Sequence, residues 1–142
     1  MMWLYENKIF NETPEEYQGF VYEIRELSTG KKYIGKKNFW SPKILPKNSK
    51  RSRRIRTRVE SNWREYYGSN QELHSLVEEV GPEGYERVIL HLCKTKGEMS
   101  YMEAKLQFMY DVLLSDQYYN EFIGCKIHSR HVSKLKENFK IK

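Results

Sequence analysis

The sequence has no long apolar run. None of its hydrophobic stretches approaches the roughly 18 residues that a membrane-spanning helix requires. The N-terminal residues 1–17 carry Glu6, Lys8 and Glu12, which is not the pattern of a secretory leader. We therefore expect a cytoplasmic protein without a membrane partner.

Cysteine is scarce. Cys93 and Cys125 are the only two, and they stand in no Cys-x-x-Cys or His-x-Cys arrangement. Zinc sites place their thiols at such short spacings, and cytoplasmic thiols stay reduced. The sequence therefore argues against a structural zinc site, and both thiols are expected to be packing residues.

Negative charge is missing from one long segment. Residues 31–59 contain twelve lysines and arginines and no acidic residue, so the remaining 113 residues sum to −6 although the whole chain is +6. Crowded like charges repel one another, and a polyanion relieves that repulsion. We expect nucleic-acid contact here, in preference to a solvated basic loop or a localisation tract. The DNA-binding candidates are Lys37, Lys50, Arg51, Arg53, Arg54, Arg56 and Arg58.

The chain length of 142 residues suits one domain. Periodicity and capping residues predict a β-hairpin over 19–37, a helix over 71–80 after Asn70, a strand over 85–93 and a helix over 98–114. Residues 38–59 have no period and are expected to form a long basic loop, followed by a short helix over 60–67. We therefore predict an α+β fold over 19–127, with an N-terminal extension over 1–18 and a basic tail over 128–142.

Glu103 is a candidate metal ligand. The last predicted helix has an apolar stripe that repeats every three or four residues, formed by Met99, Met102, Leu106, Met109 and Leu113. Glu103 follows Met102 by one residue, so it lies at the edge of this stripe and not on the water-facing side. Such a carboxylate either caps the packing, which is the commoner role, or binds a divalent cation. Glu98 is a competitor, although its place in the first turn suits the helix dipole.

Two tyrosines of the predicted hairpin share a face. If the turn has two or four residues, Tyr22 pairs with Lys37, and Tyr22, Tyr33 and Gly35 line the same side of the sheet. In this register the tyrosines stand four residues, roughly 13 Å, apart along the ladder. Gly35 then leaves open space for a ligand backbone. A three-residue turn would separate the tyrosines, and packing is the usual role of a strand tyrosine.

Several stretches together resemble a known family. Gly19-Phe20-Val21-Tyr22 followed by Tyr33-Ile34-Gly35 across a hairpin resembles the signature of the GIY-YIG nucleases, with Phe20-Val21-Tyr22 in place of Gly-Ile-Tyr. The forms KKYIGKK, ESNWREYYGSN, YMEAKLQF and YYNEFIGCKI resemble the small phage-encoded, Seg-like members. The resemblance covers about residues 19–127 and implies a small three-stranded antiparallel sheet flanked by helices.

The resemblance also implies an activity. Family members are metal-dependent DNA endonucleases, and the glutamate that binds their single divalent ion, Mg²⁺ or Mn²⁺, corresponds to Glu103. Their two tyrosines act at the scissile phosphate, one as general base, and correspond to Tyr22 and Tyr33; their asparagine corresponds to Asn120. A free phenol has a pKa near 10, so Lys36, Lys37 or the metal would have to lower it. A phage-encoded member would work in the host-cell cytoplasm.

One position of the family pattern has several candidates. The family places an arginine on the first helix after the hairpin, with a histidine or tyrosine four residues later. We favour Arg64 with Tyr67, which is three residues away. Arg58 with Asn62 is an alternative, and so is Lys36 directly after Tyr33-Ile34-Gly35.

The sequence therefore predicts a metal-dependent DNA endonuclease of the homing, restriction or phage DNA-processing type. One alternative is a nonenzymatic DNA- or RNA-binding module in which Glu103 only packs. Another is a structure-specific nickase or repair nuclease. The target sequence, the choice between nicking and double-strand cleavage, and a homodimer stay open.

Overall fold

The computed structural model describes residues 2–48, 50, 52–133 and 135. Within them the strands β1 to β7 span Trp3–Tyr5, Lys8–Ile9, Gly19–Glu26, Lys32–Asn38, Trp40–Leu45, Ile55–Glu60 and Tyr85–Cys93. The helices α1 and α2 span Gln71–Val80 and Lys96–Met109, and short 3-10 turns span Trp63–Glu65, Pro82–Gly84 and Ser129–Val132. Of the helices in this part of the chain, none has the length and hydrophobicity to cross a membrane.

The main sheet has five strands in the order β2-β1-β7-β3-β4. Its β7-β3-β4 part is antiparallel, which matches the predicted three strands. The predicted strand number is nevertheless wrong, because β1 adds to β7 in parallel and β2 turns back beside β1. Strands of three and two residues are too short to show alternation in a sequence. Tertiary packing holds them: the Trp3 indole is buried, and its Nε1 donates to the Trp63 carbonyl at 2.8 Å.

The hairpin register differs from the predicted one by two residues. Tyr22 pairs with Gly35, not with Lys37, and the connection between β3 and β4 is closed by a hydrogen bond from Gly30 N–H to the Glu26 carbonyl. Gly30 has a φ of 76°, a conformation that glycine adopts without steric cost. Because the shift is even, the predicted faces are confirmed: Tyr22 and Tyr33 still lie on the same side of the sheet.

Residues 38–59 do not form the predicted long loop. β5 and β6 pair antiparallel from Trp40 opposite Glu60 to Leu45 opposite Ile55, as a separate two-stranded sheet. We call residues 40–60 the basic ribbon. The sequence gave no strand signal here because all six residues of β6 are exposed, so apolar and polar positions have no reason to alternate.

The predicted α1 and β7 are confirmed with the bounds expected from the sequence. The Asn70 side chain accepts a hydrogen bond from Leu73 N–H at 2.9 Å, and the helix ends at Gly81 with a φ of 100°. The short helix predicted over 60–67 shrinks to the turn Trp63–Glu65, because β6 extends to Glu60.

The second helix is shorter than predicted. α2 ends at Met109, and Asp111 takes a φ of 50°, so the chain leaves the helix before the last two positions of the apolar stripe. Met109 and Leu113 are therefore 56% and 46% exposed, while Val112 is buried in their place. Prediction extended the helix because the three-four spacing continues in the sequence beyond the turn that ends it.

The core has a part on each side of the sheet. On one side, Phe20, Tyr22 and Ile24 pack with Trp63 and with α1. On the other side, Val21 and Ile34 pack with α2. Cys93 is buried in this second part, as predicted, whereas Cys125 is exposed and is not a packing residue.

Candidate active site at the sheet edge

A cavity of about 400 Å³ lies beside the edge strand β4. Its lining includes Tyr33 from β4, Glu103 and Gln107 from α2, and Asn120 from the chain after α2. Ser69, directly before the cap of α1, closes another wall. The structure therefore brings together three of the predicted site residues, Tyr33, Glu103 and Asn120, although they are far apart in sequence.

The main chain of β4 organises this cavity. On its free edge, Ile34 donates its N–H to Asn120 Oδ1 at 3.1 Å. The Ile34 carbonyl accepts from Asn120 Nδ2 at 2.8 Å and from Gln107 Nε2 at 3.0 Å. An edge strand leaves every second residue without a ladder partner, and these amides satisfy one such residue completely. Asn120 therefore fastens the segment after α2 to the strand that carries Tyr33.

Glu103 is attached to the same strand edge, one step further along. Its carboxylate accepts a hydrogen bond from the Lys36 main chain, and Lys36 Nζ lies 3.9 Å from Glu103 Oε1. The side chain of Glu103 is 15% exposed. Burial raises the pKa of this carboxyl above its ordinary value, and the Lys36 ammonium and N–H oppose that rise. Its ionised form is thus only partly compensated, and a further cation would favour it.

The donor chemistry at Glu103 fits a hard divalent cation. Its carboxylate and the amide side chains around it offer oxygen and no sulfur, which suits Mg²⁺ or Mn²⁺. Among the described residues no cluster of three or more acidic, histidine or cysteine side chains could enclose an ion. One carboxylate suffices for Mg²⁺ because this ion usually keeps several of its waters. Glu103 is therefore the candidate ligand.

Tyr22 and Tyr33 lie against each other. Their ring centroids are 6.2 Å apart, so the separation of roughly 13 Å expected from the wrong register does not apply. A Cβ atom at Gly35 would lie 2.5 Å from the Tyr22 hydroxyl oxygen and 2.9 Å from Tyr33 Cε1. The space over Gly35 is thus filled by the two tyrosines and not, as predicted, open for a ligand. Glycine is required there because any side chain would displace both rings.

The two phenols differ in their surroundings. Tyr22 is fully buried, which raises its pKa well above 10, and the neighbouring Tyr66 phenol raises it further. Among the described residues its hydroxyl has no well-formed hydrogen bond. Burial also raises the pKa of Tyr33, but a hydrogen bond with Ser69 Oγ at 3.1 Å opposes the rise. Neither lysine predicted to lower these pKa values contributes to them. Both residues are therefore phenols at neutral pH.

Tyr66 is a residue of this site that the sequence did not single out. Its ring lies edge-on to Tyr22 at 5.9 Å, and Lys37 Nζ stands 4.3 Å from its centroid. Tyr67, the residue favoured from the sequence, instead packs against the Arg87 guanidinium at 4.1 Å. The signal was the pair of adjacent tyrosines itself. In extended chain such neighbours point to opposite sides, and only the fold determines which one meets Tyr22.

Neither Arg64 nor Arg58 lines the cavity. Arg64 donates to the Asn11 carbonyl at 2.9 Å and to Thr13 Oγ1 at 3.2 Å. Arg58 donates to the Glu15 carbonyl at 3.1 Å. Both guanidiniums therefore hold the N-terminal segment. Of the candidates for the positive charge, Lys36 is the one beside Glu103, and its Nζ also donates to Ser100 Oγ at 2.9 Å.

The remaining predicted DNA contacts are on or near the basic ribbon. Arg53, Arg54, Arg56 and Arg58 are exposed, as is Lys50. Lys37 is half-buried, and burial lowers the pKa of its ammonium. Arg51 lies outside the described residues.

Arg87 is a buried cation that supports the site. It is 3% exposed and donates from one terminal nitrogen to the carbonyls of Arg64 and Tyr66, both at 2.8 Å. Arg87→Met is expected to lower the free energy of unfolding by about 2–4 kcal/mol, because two buried carbonyls lose a charged donor. Urea denaturation measures the change. The control is Arg25→Met, on the neighbouring strand, whose exposed ion pair with Glu86 is worth less than about 1 kcal/mol. Equal losses in both variants would contradict this role.

Comparison with known proteins gives one family. The sequence matches the family model described as "Putative endonuclease segE, GIY-YIG domain" over residues 3–123. No curated protein and no solved structure gives a match. The matched range includes all seven strands and both helices.

Proposed function

This chain belongs to the family of SegE-type GIY-YIG endonuclease domains, and we propose that it hydrolyses phosphodiester bonds of DNA with one divalent cation, Mg²⁺ or Mn²⁺. The observation that carries the proposal is the convergence of Glu103 and Tyr33 on one cavity, with Lys36 Nζ 3.9 Å from the carboxylate. A carboxylate, a phenol and an ammonium at one cavity supply the groups that phosphodiester hydrolysis needs.

Glu103 would hold the cation, with water as its other ligands. A cation bound there stabilises negative charge on the phosphate oxygens and on the leaving oxygen. Lys36 adds a second positive charge and keeps the Glu103 carboxylate oriented through its main-chain N–H. Asn120 holds the strand on which both stand, through its two hydrogen bonds to Ile34.

Tyr33 is better placed than Tyr22 to take the proton from the attacking water. Tyr33 lines the cavity, and Ser69 Oγ at 3.1 Å stabilises its phenolate. Tyr22 is fully buried and has the more strongly raised pKa. We assign Tyr22 the role of fixing the Tyr33 ring, which it contacts at 6.2 Å between centroids.

The cleavage rate is expected to rise with pH throughout the range in which the protein is folded and neutral phenol dominates. The pKa of Tyr33 is raised above 10, so its phenolate fraction increases about tenfold per pH unit below that value. Single-turnover rates between pH 6 and 9 at fixed metal concentration measure the slope. Tyr33→Phe should lower the rate and flatten the profile, whereas Tyr22→Phe should lower the rate and keep the slope. A steep profile in Tyr33→Phe would transfer the base role to another group.

Plasmid cleavage tests the proposed function directly. We expect supercoiled DNA to be nicked or linearised with Mg²⁺ or Mn²⁺, and to stay intact when a chelator is present. Binding without cutting, on supercoiled, linear and single-stranded DNA and with both ions, would show a nonenzymatic binding module instead. Cutting that survives the chelator would refute the metal requirement.

A further inference from the structure

The basic ribbon leaves the body of the protein. All six residues of β6 are exposed, as are the central residues Pro42, Lys43 and Ile44 of β5. An isolated two-stranded sheet is only marginally stable, and this one has a row of exposed apolar side chains that no other element covers. Its Ile44, Ile55 and Val59 are 56%, 41% and 39% exposed. Six residues per strand give it a reach of about 20 Å.

Only the base of the ribbon is anchored. Trp40 Nε1 donates to the Tyr17 carbonyl at 3.1 Å, and the Arg58 guanidinium stacks on the Trp40 ring at 4.0 Å. Gln18 Nε2 donates to the Trp40 carbonyl at 3.1 Å. These contacts all involve the first residue of β5 or the chain before β3. The base is therefore fixed and the outer part projects.

The ribbon carries positive charge without any compensation. Between Ser41 and Val59 the sequence has eight lysines and arginines and no acidic residue. Among the described residues, none of these cations forms an ion pair. Such a surface gains free energy when a polyanion replaces its counterions.

Arg56 is the cation that the fold leaves available on one face. Alternation and register place Arg56 and Arg58 on the face of Pro42 and Ile44. Arg58 is held by the Glu15 carbonyl and Trp40, whereas Arg56 has no hydrogen-bond or ion-pair partner in the described part of the chain. Arg56 is thus presented further out on the ribbon, on a face whose inner end is fixed.

We propose that the basic ribbon enters the major groove of duplex DNA, where Arg56 contacts the O6 and N7 atoms of guanine. The inference rests on the proposed function for its choice of DNA. The major groove is about 12 Å wide and admits a two-stranded ribbon, whereas the minor groove, at about 6 Å, does not. A bidentate arginine is the commonest contact to a guanine edge, and an exposed arginine on a projecting strand can make it.

The position of the ribbon links base recognition to the cut. β5 follows β4 after one residue, Phe39, which is fully buried and packs on Phe20 at 4.7 Å between centroids. Tyr33 and Lys36 lie on β4 itself. The recognised base pair therefore stands at a fixed number of steps from the cleaved phosphate, and the cut has a preferred position relative to one guanine.

The test uses binding, so that it does not depend on cleavage. Protein carrying Glu103→Gln is used to select duplexes from a randomised 30-base-pair pool, and a selected duplex is then methylated at guanine N7, which lies in the major groove. We expect the selected duplexes to share a guanine and its methylation to weaken binding roughly ten- to a hundredfold. Adding Arg56→Lys should abolish the preference for that guanine while keeping the salt dependence, because the charge stays but the fork is lost. Lys8→Ala, on β2 at the opposite edge of the sheet, is the matched control and should change neither.

Other outcomes separate the two proposals. If no guanine is shared, if its methylation has no effect, or if Arg56→Lys keeps the preference, the ribbon holds phosphates only and the groove proposal fails, whether or not the protein cuts DNA. Tighter binding to duplex RNA would also overturn it, because the major groove of RNA is too narrow for side chains to read. Conversely, guanine-dependent binding by a wild-type protein that never cuts would retain the groove proposal and refute the proposed function.

Discussion

Glu103→Gln is expected to reduce DNA cleavage about a thousandfold or more while leaving DNA binding unchanged. The amide keeps the shape of the side chain but removes the anionic oxygen that would hold the cation, and the stabilisation of charge in the transition state is lost with it. A loss of this size corresponds to about 4 kcal/mol in the barrier. Single-turnover cleavage with saturating Mg²⁺ measures the rate, and a gel-shift titration measures binding.

Stability separates this effect from unfolding. Burial raises the pKa of Glu103 in the folded chain, so the stability contributed by this carboxyl is complete below its unfolded pKa and is lost as the pH rises through the folded value. Glutamine cannot ionise, and Glu103→Gln should therefore unfold at the same or a higher urea concentration at pH 7. The control is Glu121→Gln, which neutralises another carboxylate of the same cavity and should cut within about threefold of wild type. Retained cleavage in Glu103→Gln would exclude this residue as the metal ligand.

Gly35→Ala is expected to reduce cleavage at least a hundredfold and to lower the free energy of unfolding by about 1–3 kcal/mol. The new methyl group would lie 2.5 Å from the Tyr22 hydroxyl oxygen and 2.7 Å from its Cζ, and 2.9 Å from Tyr33 Cε1. The Tyr22 ring is fully buried and cannot swing into solvent, so the clash must move Tyr33 or the strand. Cleavage assays and urea denaturation measure the two effects.

Two further variants test this explanation. Gly124→Ala lies on the same cavity, but its Cβ would meet only Phe122 at 3.6 Å, an ordinary contact, and should change little. Tyr22→Phe combined with Gly35→Ala removes the closest atom and should restore part of the stability, so the two substitutions should not be additive. Additive losses would mean that Gly35 acts through the backbone and not through Tyr22.

The site shows how a sheet edge becomes an active-site scaffold. Edge strands expose unpaired main-chain groups, and here those of Ile34 and Lys36 bind Asn120, Gln107 and Glu103. The polar side chains that cover the edge are thereby held at fixed positions beside Tyr33. The same hydrogen bonds that protect the edge from pairing with another chain also build the cavity.

Local sequence signals predicted the elements whose determinants are local. Asn70 and Gly81 delimit α1, and the apolar run of β7 follows directly, so both were predicted with their bounds. The even register shift left Tyr22 and Tyr33 on one face because strand side chains alternate with a period of two. The register itself depended on which residues close the turn, and the sequence offered several equivalent choices.

The sequence by itself determined the family signature, the concentration of positive charge in residues 31–59 and the placement of Glu103 at the margin of its helix. The tertiary structure alone decided that β1 and β2 complete the sheet, that Tyr66 and not Tyr67 meets Tyr22, and that Arg64 and Arg58 hold the N-terminal segment. The physical reason is range. Periodicity, capping and charge are properties of neighbouring residues, whereas pairing partners and the side on which a phenol lies depend on contacts between segments distant in the chain.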